Sequence, residues 1–149
     1  MAILPEPRFS VVTVGVRDYP GMVRFYTDVL GLEDRGIKGE VAFFNMGGTV
    51  LGLWDETKLA DDAGVQPDRT GRFKGFAFAY NARSQEEVDS IFSALTQRGV
   101  TVSKLPHKTY WGGYSGYFTD PEGNAWEVAF NPFWPIDSAG HVTVPAREQ

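Results

Sequence analysis

The 149-residue sequence contains no cysteine and only two histidines, His107 and His141. Without thiols the chain forms neither disulfides nor thiolate metal sites, and it has no cysteine nucleophile in any compartment. Two imidazoles are also few for a metal centre, because a catalytic divalent site normally takes about three protein ligands. Metal chemistry in this chain would therefore have to rest largely on carboxylates.

Positive charge is scarce as well. The chain has 14 Lys and Arg against 19 Asp and Glu, which gives a net charge of −5, and no basic stripe is present that could follow phosphates. Long apolar runs are missing, and the start MAILPEPRFS lacks the pattern of a secretory signal. We predict a soluble cytoplasmic protein that binds neither nucleic acid nor membranes.

A single domain over residues 1–149 suits this length and a hydrophobic content of 42%. A strand pattern leads into a helix that Asp18 caps and Gly31 ends, with apolar spacing over Val23, Tyr26, Val29 and Leu30. A hairpin follows, with Gly47 and Gly48 at its turn. These elements form a first module over residues 9–55.

The same pattern returns after a polar helix and linker over residues 56–73. In the second module, residues 74–132, a strand precedes a helix with a capping box of Ser84 and Glu87. Three strands follow, the last two joined by a turn at residues 120–123, and residues 133–149 form a tail. The order β-α-β-β-β, written twice, predicts a duplicated α+β fold. Counting from the turn glycines aligns Gly52 with Glu127, and the first strands align Val11 with Gly75.

Two motifs resemble the vicinal oxygen chelate superfamily, which includes glyoxalase I, extradiol dioxygenases and bleomycin-resistance proteins. They are VGVRDYPGMVRFYTDVLGL near the start and GYFTDPEGNAWEVAFNP near the end, and the resemblance spans residues 9–132. It implies two tandem βαβββ modules that form an incompletely closed eight-stranded barrel around a ligand cavity. It also implies a homodimer.

The resemblance further implies where a metal would be bound. The ligand positions of metal-using relatives correspond here to Val11, Gly52, Gly75 and Glu127, and only the last can coordinate an ion. We therefore expect no metal cofactor. The alternative is a divalent ion held by an unusual set of ligands, such as Glu127 with His107 and His141.

Glu127 is the first candidate site residue. The period of two in a strand places it with Ala125 and Ala129 on one face, opposite the bulky Trp126 and Val128. A buried carboxylate needs a partner. Glu127 either pairs with a neighbour or binds a ligand, and a role as catalytic base is a third interpretation.

Aromatic residues supply the remaining candidates. The run TYWGGYSGYF combines Tyr110, Trp111, Tyr114 and Tyr117 with three glycines, and such a run either lines a ligand pocket or packs a core strand. We expect Trp111 and Tyr114 to face a ligand. Trp54 shares a strand face with Gly52, a glycine that either opens room for a ligand or permits close backbone packing.

Further candidates lie in loops and in the tail. We expect His107 in a polar loop, where it is either exposed to solvent or placed over the cavity mouth as an acid or base. Ser115 lacks the partners of a nucleophile. Phe133 and Trp134 are expected to pack across a partner subunit or to close the open edge of the barrel.

Three functions stay open. The first is a metal-independent protein that binds a small organic molecule in an aromatic cavity. The second is a divalent-metal-dependent glyoxalase-type lyase or an extradiol-dioxygenase-like enzyme with a non-standard ligand set. The third is a dimerisation module without a ligand.

Overall fold

A computed structural model describes residues 8–67 and 70–146 of the protein. The chain divides into two compact units, residues 1–69 and 70–149. Within the described ranges, no helix is long and apolar enough to cross a bilayer.

The first unit holds a three-stranded sheet in the order β1-β3-β2. Its elements are β1 (Val11–Val16), α1 (Tyr19–Arg24), a π-helical segment (Phe25–Val29), β2 (Val41–Asn45), β3 (Val50–Asp55) and α2 (Glu56–Ala63). Strand β1 runs parallel to β3, whereas β2 is antiparallel to it. The predicted hairpin is confirmed: Gly47 and Gly48 have φ angles of 70° and 103°, which suit glycine.

Helix α1 begins as predicted, because the Asp18 side chain accepts a hydrogen bond of 3.0 Å from the Gly21 amide. Its second half is wider than an α-helix, with the Leu30 amide bonded to the Phe25 carbonyl five residues back. The extra residue per turn rotates the side chains. Met22, Phe25 and Tyr26 are buried, whereas the predicted positions Val23, Val29 and Leu30 are only half-buried.

The second unit holds a four-stranded sheet in the order β4-β7-β6-β5. Its elements are β4 (Ala77–Ala82), α3 (Gln85–Gln97), β5 (Thr101–Lys108), β6 (Tyr114–Thr119) and β7 (Ala125–Phe130). Ser84 caps the helix as predicted, since the Glu87 amide donates to its hydroxyl at 3.1 Å, whereas the Glu87 carboxylate accepts from the Arg83 amide at 2.6 Å. Val88, Phe92 and Leu95 form the buried stripe of α3.

The turn between β6 and β7 is held by a buried carboxylate. Asp120 is 3% exposed and accepts hydrogen bonds from the amides of Glu122 and Asn124 at 3.0 and 2.9 Å. The Asn124 side chain donates a third at 2.7 Å. These bonds fix the start of β7 and hence the register of the residues that follow.

The fold class predicted from the sequence is confirmed, but the strand count differs. The described residues hold seven strands rather than eight, because the first unit has no regular strand between its first helix and β2. Only an isolated bridge, Ile37 to Val41, forms there. Asp34 explains the difference, because its carboxylate accepts from the amides of Gly36 and Phe43 and holds this segment as a turn.

Candidate functional site

Strand β7 presents two different faces. Trp126 and Val128 are buried on the side that α3 covers. Glu127 and Ala129 point to the other side, as the period of two predicts, and both line a pocket there. Glu127 itself is half-buried, so its carboxylate stands at the floor of an accessible cavity.

We call this cavity the Glu127 pocket. Its volume is about 470 Å³, within the range of small-molecule sites. Strands β4 and β7, the β5–β6 turn and the segment after β7 all contribute to it. The described residues that line it are Ala79, Asn81, Tyr110, Trp111, Glu127, Ala129, Asn131, Phe133 and Trp134.

Tyr117 is the immediate partner of Glu127. The two residues are directly opposite in the antiparallel β6–β7 pair, so their side chains lie on the same side of the sheet. Burial, the charge of the nearby Glu127 carboxylate and the capacity of this carboxylate to accept a hydrogen bond raise the pKa of Tyr117 above its ordinary value of 10.0. At neutral pH Tyr117 is therefore a neutral donor, and Glu127 both pairs with a neighbour and faces the pocket.

The β5–β6 turn carries two aromatic residues of the pocket. The Thr109 amide donates to the Gly113 carbonyl at 2.9 Å, and the Gly113 amide donates to the Thr109 hydroxyl at 2.9 Å. Tyr110 and Trp111 stand at the tip of this closed turn. Trp111 is half-buried, whereas Tyr110 is fully exposed at the rim.

Two adjacent glycines let aromatic rings lie against this turn. A Cβ atom at Gly113 would overlap the Trp111 ring and would lie 2.7 Å from the Phe130 carbonyl oxygen. A Cβ atom at Gly112 would lie 3.0 Å from the Phe133 ring. The glycines thus serve close packing of the pocket walls, one of the uses expected of glycine in a sheet.

The segment after β7 supplies the other aromatic wall. The Asn131 side chain accepts from the Phe133 amide at 2.9 Å, which turns the chain back towards the pocket. Phe133 and Trp134 then line it. Arg83 anchors the segment that follows, because its guanidinium donates to the carbonyl oxygens of Ile136 and Asp137 at 3.3 and 2.7 Å.

A second turn completes the anchored tail. The Asp137 carboxylate accepts from the amides of Ala139 and His141 at 2.9 and 2.8 Å. The bond from the His141 amide leads the effects that hold the pKa of Asp137 below its ordinary value. The His141 ring also lies 3.4 Å from this carboxylate, so His141 belongs to the tail turn.

Three residues predicted for the site stand elsewhere. The Tyr114 hydroxyl donates to Asp89 of α3 at 2.7 Å, so Tyr114 faces the helix side of the sheet. His107 was expected in a loop but lies within β5, opposite Ser115, because β5 continues through two register irregularities. Trp54 belongs to β3 of the first unit. None of the three is among the described residues that line the pocket.

Gly52 serves close packing in the first unit. It lies between Thr13 of β1 and Phe43 of β2, and an added Cβ atom would come within 3.2 Å of both side chains. The Phe43 ring covers the position that a side chain would occupy. Of the two interpretations of Gly52, the structure supports the close approach.

The sheet register revises one of the aligned positions. Val11 pairs with Val50 two residues before Gly52, and Ala77 pairs with Ala125 two residues before Glu127. Ala77 therefore occupies the place in β4 that Val11 has in β1, and Gly75 lies before the strand. Alanine, like glycine, offers no donor atom, so these positions do not provide a ligand set for a metal ion.

The unusual ligand set is not assembled either. Within residues 8–67 and 70–146, no three His, Asp or Glu side chains are grouped so that they could hold an ion. His107 and His141 thus do not join Glu127 in a common cluster. No reaction step through a metal follows from the residues described.

The family model for the glyoxalase/bleomycin resistance protein/dioxygenase superfamily matches residues 8–128. The chain belongs to this superfamily. A glyoxalase-related enzyme from Fulvimarina pelagi is 35% identical, with a TM-score of 0.84 over 95% of this chain and 100% of that one. Among curated proteins none matches the chain.

Two further solved structures of the superfamily fold are similar over most of the chain. A lactoylglutathione lyase from Agrobacterium tumefaciens is 29% identical, with a TM-score of 0.70 over 89% of this chain and 100% of that one. A glyoxalase/bleomycin resistance protein/dioxygenase from Nocardioides is 26% identical, with a TM-score of 0.74 over 85% of each chain. The superfamily thus includes structures described as enzymes and structures described only by family.

One residue of the site was not selected from the sequence. Tyr117 was grouped with the other aromatic residues, but its pairing with Glu127 depends on the register of β6 against β7. The signal was the spacing of both residues from the Asp120 turn, since Tyr117 lies two positions before the last residue of β6 and Glu127 two positions after the first residue of β7. Counting back through the hairpin would have placed the two side by side.

Proposed function

We propose that the protein binds a small organic molecule in the Glu127 pocket, without the help of a metal ion. The observation that carries this proposal is the arrangement of the pocket itself. One carboxylate at its floor is surrounded by aromatic side chains from the β5–β6 turn and the tail. Such a combination gives affinity through apolar contact area and orientation through a single polar group.

Metal independence is proposed from the chemistry of the side chains. The side chains of Val11, Gly52 and Ala77 have no donor atoms, and the cross-strand neighbour of Glu127 is a neutral tyrosine, Tyr117. One carboxylate falls short of the about three protein ligands of a catalytic divalent site. The pocket floor is therefore suited to hydrogen bonding and charge recognition.

Binding can be tested with purified protein that carries no histidine tag. We expect stabilisation in thermal-shift assays by members of a panel of aromatic and alkyl compounds, followed by saturable binding in calorimetry. Trp111→Ala should weaken that binding. Phe73→Ala is a matched control, because Phe73 is an exposed aromatic residue of the same unit that is absent from the pocket lining. A flat response of the wild type across the panel would contradict the proposal.

Metal content is a separate test on the same preparations. Elemental analysis should find no stoichiometric divalent ion in the wild type or in Glu127→Gln. Near-stoichiometric metal that disappears in the variant would instead favour an enzyme with an unorthodox site.

An enzymatic function is the second candidate, and similarity to solved structures favours it. Two similar structures are described as a glyoxalase-related enzyme and a lactoylglutathione lyase. In this case Glu127 would act as the base, and Tyr117 would hold it in position. Turnover of 2-oxoaldehyde thiol adducts that depends on Glu127, measured with and without added divalent ions, would support this candidate.

A further inference from the structure

The Glu127 pocket is electrostatically one-sided. Among the described residues that line it, Glu127 is the single charged residue, and no Lys, Arg or His accompanies it. Tyr117, which is directly opposite Glu127 in the β6–β7 pair, is a neutral side chain whose pKa is raised above 10.0. It therefore leaves the charge of the carboxylate uncancelled.

The carboxylate also keeps hydrogen-bonding capacity for a ligand. An ionised carboxylate offers about four acceptor sites on its two oxygens, and a hydrogen bond from the Tyr117 hydroxyl would occupy only one of them. The two asparagines of the pocket are neutral, and the Asn131 side-chain oxygen already accepts from the Phe133 amide. A positively charged group is the partner that best fits the remaining sites.

The aromatic walls of the pocket also favour a positively charged ligand. Trp111, Phe133 and Trp134 bring three aromatic side chains into one lining with the carboxylate. The face of an aromatic ring carries negative partial charge and attracts ammonium groups, most strongly in the case of Trp. Because rings and carboxylate act in the same direction, we infer that the pocket selects organic cations, namely protonated or alkylated amines, over neutral and anionic molecules of the same shape.

Other charged ligands fit less well. An inorganic divalent cation normally takes about three protein ligands, and aromatic rings cannot supply those that the single carboxylate leaves missing. An anion would lose its hydration next to Glu127 without any cationic partner among the described lining residues. An alkylated ammonium group is weakly hydrated and covers its charge with methyl groups, so it can contact the rings directly.

The inference rests on the proposed binding function and can fail separately from it. Choline, 3,3-dimethylbutan-1-ol and 3,3-dimethylbutanoate are probes of similar shape with positive, zero and negative charge. Calorimetry on the full chain should give choline an affinity on the order of tenfold above that of the alcohol. The anion should bind most weakly. Benzyltrimethylammonium, which offers a second apolar group, should bind more tightly than choline.

Two substitutions test which side chains cause the preference for cations. Glu127→Gln keeps the shape and should reduce the affinity for the two ammonium probes by a larger factor than that for the alcohol. Trp111→Leu should lower the affinity for the ammonium probes more than that for the alcohol, because it replaces an aromatic face with an aliphatic side chain. Circular dichroism and thermal unfolding verify that both variants fold.

The outcomes separate the two proposals. Equal affinity for choline and the alcohol, or tighter binding of the alcohol or the anion, would overturn cation selectivity and leave the pocket as a binding site. Binding of panel compounds without binding of either ammonium probe would do the same. If neither the probes nor the panel bind, the binding function itself is overturned.

Discussion

Tyr117 and Glu127 are directly opposite each other in the β6–β7 pair, and the nearby carboxylate helps to raise the pKa of Tyr117. This pair connects the sheet to the pocket floor, since Glu127 is the charged group that the pocket exposes. The charge of Glu127 also affects the protonation of Tyr117.

The first prediction concerns that coupling. In Glu127→Gln the pKa of Tyr117 should fall, because the carboxylate charge and a carboxylate acceptor are both removed. It should stay above 10.0, since burial is the largest cause of the shift. NMR titration of the tyrosine ring carbons measures this directly. An unchanged Tyr117 pKa in the variant would show that the two residues are not coupled.

The same shift fixes a pH dependence of stability. Because the folded-state pKa of Tyr117 is raised, its contribution is fully present below the ordinary value of 10.0 and is lost as the pH rises through the raised value. The free energy of unfolding of the wild type, measured with denaturant, should therefore fall as the pH rises above 10.0. Tyr117→Phe should lose less over the same range.

The second prediction concerns Gly113. Gly113→Ala should lower the free energy of unfolding by about 1–3 kcal/mol, because the added methyl group overlaps the Trp111 ring and approaches the Phe130 carbonyl. Ligand affinity should fall with it. Urea unfolding and tryptophan fluorescence report both effects.

Tyr110→Ser is the control for this region. Tyr110 lies in the same turn but is fully exposed, so its replacement should change stability by less than about 0.5 kcal/mol. If Gly113→Ala were as mild as Tyr110→Ser, the close approach of the Trp111 ring would be refuted.

The third prediction concerns the anchor of the tail. Arg83→Gln removes the donors to the Ile136 and Asp137 carbonyls and should release the segment that carries Phe133 and Trp134. Faster hydrogen exchange in residues 133–142 and weaker ligand binding are expected. Arg72→Gln removes the same charge at an exposed position of the same unit and should leave both properties unchanged.

The fourth prediction tests the tail as a whole. A chain that ends at Asn131 lacks Phe133 and Trp134, so it should be less stable and should bind ligand weakly. Phe133 is 62% exposed and Trp134 38% exposed, which leaves apolar surface for a partner subunit. Analytical ultracentrifugation of both chains tests that dimer. A shortened chain with unchanged stability and oligomeric state would remove both roles of the tail.

The fifth prediction concerns the Asp120 turn. Asp120→Ala leaves two amides and one side-chain amide without their acceptor in a buried position. The free energy of unfolding should fall by about 2 kcal/mol or more. Glu122→Ala is the comparison, because it alters a carboxylate of the same turn but not the acceptor. Equal effects of the two substitutions would argue against the central role of Asp120.

Much of the fold could be predicted because it is encoded locally. Caps at Asp18 and Ser84, the glycine pair of the first hairpin and the Asp120 turn each depend on a few neighbouring residues. The missing strand of the first unit depended on a hydrogen bond from the Phe43 amide to the carboxylate of Asp34, nine residues earlier. No pattern in the segment itself reveals that this side-chain bond forms in place of a regular strand.

The site was harder to predict because it depends on register. The period of two placed Glu127 on the correct face, but the turn at Gly112 and Gly113 decides which aromatic residues of the run share that face. Tyr114 therefore faces α3, whereas Trp111 lines the pocket. For the same reason, the residue that corresponds to Val11 in the second module is Ala77 rather than Gly75. Only the pairing of the strands identifies it.

The anchoring of the tail has a consequence for how this site could diversify. Phe133 and Trp134 follow the last strand, and neither belongs to the buried core. Replacing them changes the shape of the ligand wall and leaves the Asp120 turn and the α3 packing untouched. Short cassettes spanning residues 131–137, exchanged between homologous chains that keep Arg83, should therefore transfer ligand preference while the host scaffold stays intact.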